Sequence, residues 1–201
     1  MLIQVLASVS ETLDYIHQHN VFHRDLKPAN IIIGLDGSPR IIDFGLCVHE
    51  KDQSRYQGEV AGTTAYMSPE QIRGESHHLD GRADIWAVGV MLYEGLVGRR
   101  PFQGNTSMRL ADEILSRSAR PLRQIDGSIP LELERICLRA LEKNPSKRYL
   151  VASDLSQDLF RASGALNTKK QTPSAGAAAT RLALQSRIYR CLLYTSPSPR
   201  D

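Results

Sequence analysis

The chain has 201 residues, 41% hydrophobic and 23% charged, the balance of a soluble globular protein with one real core. It contains no run of about 18 apolar residues, which excludes a membrane-spanning helix within it, and no basic flank leading into an apolar N-terminal core, so no signal peptide is expected. Lys169, Lys170, Arg181, Arg187, Arg190 and Arg200 against the single acid Asp201 give the residues after Gly164 a charge of +5. The net charge of +3 therefore leaves −2 on the rest, which is no footprint for nucleic acid.

In chain order, residues 1–20 place Leu2, Val5, Leu6, Val9, Leu13 and Ile16 on one helical face. His17, His19 and His23 straddle the end of that helix with no cysteine or carboxylate to complete a metal set. The three cysteines, Cys47, Cys137 and Cys191, are scattered, as expected of reduced thiols in the cytoplasm.

Next comes His23-Arg24-Asp25-Leu26-Lys27-Pro28-Ala29-Asn30, followed by the apolar Ile31-Ile32-Ile33. Asp43-Phe44-Gly45 stands behind Ile41-Ile42. Two short strands about a turn at Asp36-Gly37 would bring Asp25, Asn30 and Asp43 to one end of a small hairpin. A solvated, charge-rich turn is the simpler reading of these residues, but Leu26, Pro28 and Phe44 imply burial around them.

These two motifs at this spacing resemble the catalytic loop and the metal-binding loop of protein kinases. The resemblance implies phosphoryl transfer from ATP with Mg²⁺ to a protein substrate. In it Asp25 takes or orients the hydroxyl proton, Lys27 sits near the γ-phosphate, and Asn30 and Asp43 ligate the metal. It also implies that Ile32 forms the floor under the adenine ring, alongside a core role, and that His23 and Phe44 stack to hold the two loops in register. The resemblance further makes Arg24 the arginine that, in the family, often pairs with a phosphorylated activation-segment residue. Between Gly45 and Gly62 only Ser54 and Tyr56 carry hydroxyls, so Ser54 serves, or an acid such as Glu59 substitutes, or no phosphorylation is needed.

Gly62-Thr63-Thr64-Ala65-Tyr66-Met67-Ser68-Pro69-Glu70 is similar to the substrate-docking loop and Ala-Pro-Glu motif of the family, with Ser68 in place of alanine. Thr63 and Lys27 both match the serine/threonine-specific branch, and the motif style resembles bacterial kinases of the eukaryotic (Hanks) type. Asp84 opens an apolar helix running to about Val97. By the resemblance it supports the catalytic loop through backbone hydrogen bonds, while Gly95 within the helix marks close packing. Helices are expected over 106–117, over 130–143 with Leu133, Ile136, Cys137, Ala140 and Leu141 on one face, and over 151–162 with Leu155, Leu159 and Phe160. Arg148 matches the family arginine that pairs with the glutamate equivalent to Glu70.

The fold class expected is α+β, mainly α: the large lobe of a kinase over 1–163, then a low-complexity linker over 164–190. Residues 191–201 read like the translation of a transposase-type sequencing adapter. The small lobe, with its Gly-rich loop, strand lysine and helix glutamate, is expected to be absent. The functions in view are a Ser/Thr kinase fragment, inactive alone, or a pseudokinase or truncated scaffold module. A membrane anchor beyond the linker and the oligomeric state stay open.

Overall fold

The computed structural model describes residues 1–44, 48–49, 64–75 and 80–168. Helix α1 (Leu2–Gln18) buries Leu2, Val5, Leu6, Val9 and Leu13, the stripe expected of its apolar spacing. Strand β1 (Val21–Phe22) pairs antiparallel with β4 (Val48–His49), and β2 (Ile31–Ile33) with β3 (Pro39–Ile41). In the β2–β3 hairpin Ile31 faces Ile41, and Gly37 supplies the left-handed turn residue with φ 79°.

Four-residue α2 (Pro69–Ile72) precedes α3 (Arg82–Val97). Helix α3 is buried on nearly every side, with Ile85, Trp86, Val88, Val90 and Leu92 at or near zero exposure; a helix apolar all round belongs at the centre of a core. Gly98 closes it in the left-handed conformation, φ 78°, its N–H on Glu94 O. Gly95 lies against Leu2 of α1, the close packing anticipated for it.

Helices α4 (Ser107–Ser116), α5 (Leu131–Ala140) and α6 (Ala152–Thr168) complete the body. The expected face of α5 is buried, although Pro130 precedes the helix rather than opening it. Helix α6 runs to Thr168, past the end expected at 162 and into the stretch of linker composition. It packs most extensively on α1 in an antiparallel sense: Ser153 N–H donates to Asp14 Oδ1 and Ser156 Oγ to Ala7 O. Leu155 and Leu159 are buried as expected, but Phe160 is 43% exposed, one position past the buried stripe.

Candidate active site

The site is built on the β2–β3 hairpin. Pairing of Ile31 with Ile41 sets Asn30 just before one strand and Ile42-Asp43 just after the other, and Ile42 N–H donates to Asn30 O at 2.9 Å. Asn30 and Asp43 are thereby brought to the same end of the hairpin. Asn30 is buried, and its amide nitrogen donates to Asp25 O at 2.8 Å. That bond fixes the amide so that its oxygen, the acceptor end, is the end left for a cation. Lys27 Nζ meets Asp25 Oδ2 at 2.6 Å.

A second layer holds the loop from below. Asp84, in the first turn of α3, accepts the backbone N–H groups of His23 at Oδ2 (2.9 Å) and Arg24 at Oδ1 (2.8 Å), as expected for it. His17, at the end of α1, donates Nε2–H to Oδ2 at 2.8 Å. Burial alone would push the Asp84 carboxyl up. The hydrogen bond and charge of His17, with the two backbone N–H groups, outweigh it and hold the carboxyl below its usual range.

Arg24 has φ 64° and Asp43 φ 63°, a left-handed conformation that disfavours residues with a Cβ by roughly 1–2 kcal/mol. Such strain persists only where the surroundings over-determine it. At Arg24 they do: Asp84 holds its N–H and Gln71 Nε2 donates to its carbonyl at 2.7 Å.

His23 is fully buried and donates Nε2–H to Ile42 O at 3.1 Å, tying the Asp25 loop to the segment before Asp43. Its ring meets Phe44 with centroids 5.1 Å apart at 55°, a tilted pair rather than the expected stack. Phe44 is 43% exposed and Ile32 50%. The burial expected around the charged residues holds for Leu26 and Pro28 but not for Phe44, and Ile32 has no core role here, since it alternates to the face opposite the buried Ile31. Thr63, Ser54, Tyr56 and Glu59 lie outside the described residues.

Glu70 and Arg148 form the expected pair, described below, which braces α2 against the loop before α6. Two functional residues were not anticipated. His17 sits in a histidine-rich run that suggests metal chemistry but supplies a donor to Asp84. Gln71 completes a Ser-Pro-Glu-Gln capping box, a signature legible in the sequence, but its reach to Arg24 is not. Asn30 and Asp43 are hard oxygen donors suited to Mg²⁺, which binds through one or two side chains and completes its shell with water and phosphate oxygens. Among the described residues no cluster of three or more His, Cys, Asp or Glu side chains forms a protein-only metal cage.

Comparison with known proteins agrees with this geometry. A family model of the protein kinase domain matches residues 2–160. The serine/threonine-protein kinase PknB of Mycolicibacterium smegmatis is 36% identical over 162 residues, covering 79% of this chain and 26% of that protein. PknB of Mycobacterium tuberculosis strain H37Rv is 35% identical over 162 residues, with the same coverage. A probable PknB of Bifidobacterium longum is 38% identical over 161 residues, 78% of this chain and 23% of that protein. The chain spans about a quarter of the length of these curated relatives. With a helix-rich body, a small antiparallel hairpin and a family match over most of its length, the chain belongs to the protein kinase domain family, beside bacterial Hanks-type serine/threonine kinases.

Proposed function

We propose that this chain supplies the phosphoryl-transfer half of a serine/threonine protein kinase, acting on Ser or Thr hydroxyls of a protein with ATP as donor. The observation that carries the reading is the hold on the Asp25 loop. One buried carboxylate, Asp84, takes two successive backbone N–H groups of the loop, and the Asn30 amide takes the Asp25 carbonyl. A loop of solvated charge has no need of such bracing, whereas a base that must meet a hydroxyl within about 3 Å does.

In this reading Asp25 orients the hydroxyl and accepts its proton, and Lys27, already at the Asp25 carboxylate, presents a point charge to the transferring phosphoryl. Asn30 and Asp43 hold Mg²⁺, which neutralises charge on the phosphate oxygens. Ile32 lies under the adenine, His23 and Phe44 join the two loops, and Arg24 serves a phosphorylated or acidic partner. Thr63, outside the described residues, is assigned to the substrate side by the family resemblance alone. Glu70, Asp84 and Arg148 are structural supports.

No Gly-x-Gly phosphate loop occurs in the 201 residues, so the chain alone binds Mg-ATP weakly and transfers no phosphate. Residues 1–163 act as a kinase large lobe, 164–190 as a linker whose first residues, to Thr168, continue α6, and 191–201 are adapter read-through. A pseudokinase reading has no residue here in its favour, since Asp25, Asn30 and Asp43 are all present. The test is transfer from γ-labelled ATP to a Ser/Thr protein by this chain joined behind the small lobe of a PknB relative. Asp25→Asn should lower turnover by about 10²–10⁴-fold; near-normal turnover would remove Asp25 from the role. Micromolar binding of Mg-ATP to the 201-residue chain by calorimetry would contradict its dependence on a second lobe.

A further inference from the structure

Two groups converge on the backbone of one strained residue from different elements. Arg24, directly before Asp25, is left-handed at φ 64°. Asp84 of α3 holds its N–H, and Gln71 of α2 holds its carbonyl. The Arg24 carbonyl belongs to the peptide unit that carries the Asp25 N–H, so whatever grips this carbonyl sets the plane from which the Asp25 side chain departs. The same peptide's N–H closes a tight turn on His23 O at 2.9 Å.

Gln71 is more than nine-tenths buried, with 7% exposure, and every polar group of its side chain is used. Its Oε1 accepts from Ser68 N–H at 3.0 Å and from Ser68 Oγ at 3.1 Å. Its own N–H donates to Ser68 Oγ at 3.4 Å. Those contacts make a capping box at the start of α2. They fix which end of the amide faces Ser68 and so leave Nε2 aimed at Arg24.

A cap alone does not call for glutamine. Glutamate at this position of a capping box accepts equally well, and its charge is favoured near a helix N-terminus. What glutamine adds is the donor. A carboxylate here would set an acceptor against an acceptor, the Arg24 carbonyl, in a buried place.

We propose that Gln71 is a positioning residue for Asp25: its side-chain Nε2, rather than its part in the cap, holds the left-handed Arg24 peptide and with it the geometry of the Asp25 loop. The role rests on reading Asp25 as the catalytic base. It makes the segment leading into α2 part of the aspartate's support: when Ser68-Pro69-Glu70-Gln71 is in place the Arg24 carbonyl is gripped, and when it is displaced Arg24 is released towards ordinary backbone. Asp84 then holds the residue from one side without Gln71 on the other.

The experiment separates the two halves of the Gln71 amide in the full 201-residue chain, by backbone amide hydrogen exchange and thermal melting. Gln71→Glu keeps the cap and removes the donor. Its melting temperature should fall, since a buried acceptor then faces the Arg24 carbonyl, and the Arg24 and Asp25 amides should exchange about tenfold faster, the factor that loss of a hydrogen bond of ordinary strength implies. Ser68→Ala weakens the cap and keeps the donor, so melting should fall while those two amides keep their protection. Unchanged protection in Gln71→Glu would overturn the proposal. So would Ser68→Ala loosening the Arg24 and Asp25 amides as much as Gln71→Glu, since the effect would then be general loosening of α2. Should Gln71→Glu fail to fold, Gln71→Met removes both the donor and the Oε1 acceptor without adding charge, and faster exchange of the two amides than in Ser68→Ala then reports the donor. Neither readout uses catalysis: a clamp found here alongside an Asp25→Asn chimera of normal turnover would reject the kinase role of Asp25 and leave the backbone coupling standing.

Discussion

Arg148 and Glu70 meet as a buried bidentate pair, Nη1 to Oε1 at 2.6 Å and Nη2 to Oε2 at 2.8 Å, with 0% and 5% of their side chains exposed. The guanidinium also donates to the carbonyls of Arg82, Glu142 and Lys143. One side chain thus joins α2, the start of α3 and the loop before α6. Replacing Glu70 by Gln leaves the cation buried with a neutral partner, and breaking such a pair costs about 3–5 kcal/mol. Arg148→Met should cost at least as much, because it also strands three carbonyls. Urea denaturation measures both; a loss below about 1 kcal/mol, the range of an exposed pair, would show that the pair does not brace the fold.

Asp84 gives a pH prediction. Its native carboxyl titrates below the ordinary value of 3.8, so the unfolded chain takes up the proton first as pH falls. The stability it contributes is fully present above about pH 4 and is lost as pH drops through the lowered native value. Asp84→Asn should remove that acid-dependent part and cost about 1–3 kcal/mol at neutral pH for each backbone donor left unsatisfied. Denaturation curves for both proteins between about pH 3 and pH 7 check this. Parallel pH profiles would be incompatible with an ionised, hydrogen-bonded Asp84.

Lys143 gives a dependence of the same sign in the alkaline range. Its ammonium lies 3.9 Å from the Phe102 ring centroid and 4.9 Å from that of Trp86, and it donates to Ile114 O at the end of α4. Burial, then Arg148 and Arg73, push its pKa down to about 8, with Glu113 pulling the other way. The unfolded chain therefore binds more protons between about pH 8 and 10.5, and stability should rise with pH across that window. The rise should vanish in Lys143→Met, a comparison that urea midpoints at about pH 7 and about pH 10 would make.

Two glycines of α3 separate backbone propensity from packing. A Cβ at Gly89 would lie 2.8 Å from Ala140 Cβ, an atom that moves only with the α5 backbone. At Gly95 it would run into Leu2 Cδ2, the far end of a side chain that can rotate. Both substitutions to alanine gain roughly 1 kcal/mol of helix propensity. Gly89→Ala should nevertheless lose about 1–3 kcal/mol through overpacking, and Gly95→Ala should come out near neutral. Thermal melting of the two variants side by side reads the difference; equal effects would mean that α3 and α5 are not in rigid contact.

Much of this was legible in the sequence because it is periodic or spelled out. The stripe Leu2-Val5-Leu6-Val9-Leu13 marks its own buried face, and Asp25, Asn30 and Asp43 stand in motifs whose spacing fits a hairpin. What escaped are contacts between polar residues far apart in the chain. His17 and Asp84 are separated by 67 positions and Gln71 and Arg24 by 47, and a single polar side chain leaves no period to read. The exposure of Ile32 and Phe44 escaped for a related reason: an apolar residue in a short strand looks the same whether its surface meets the chain's own core or an open face.

Helix α3 carries an anchor near each end. Asp84 holds the backbone before Asp25. Ten residues on, Glu94 accepts the Tyr66 hydroxyl at 2.8 Å, and Arg100, paired with Glu94, lies over the Tyr66 ring. The helix is thus a measuring rod of about 15 Å that spaces the Asp25 loop from the segment around Tyr66. Because it is walled in on nearly all sides, it cannot slide or turn to absorb an error. Inserting or deleting one residue between Asp84 and Glu94 would rotate one anchor by about 100° against the other and swing at least one of them away from its partner. Length and register within this helix are therefore constrained more tightly than the identity of any one of its apolar side chains.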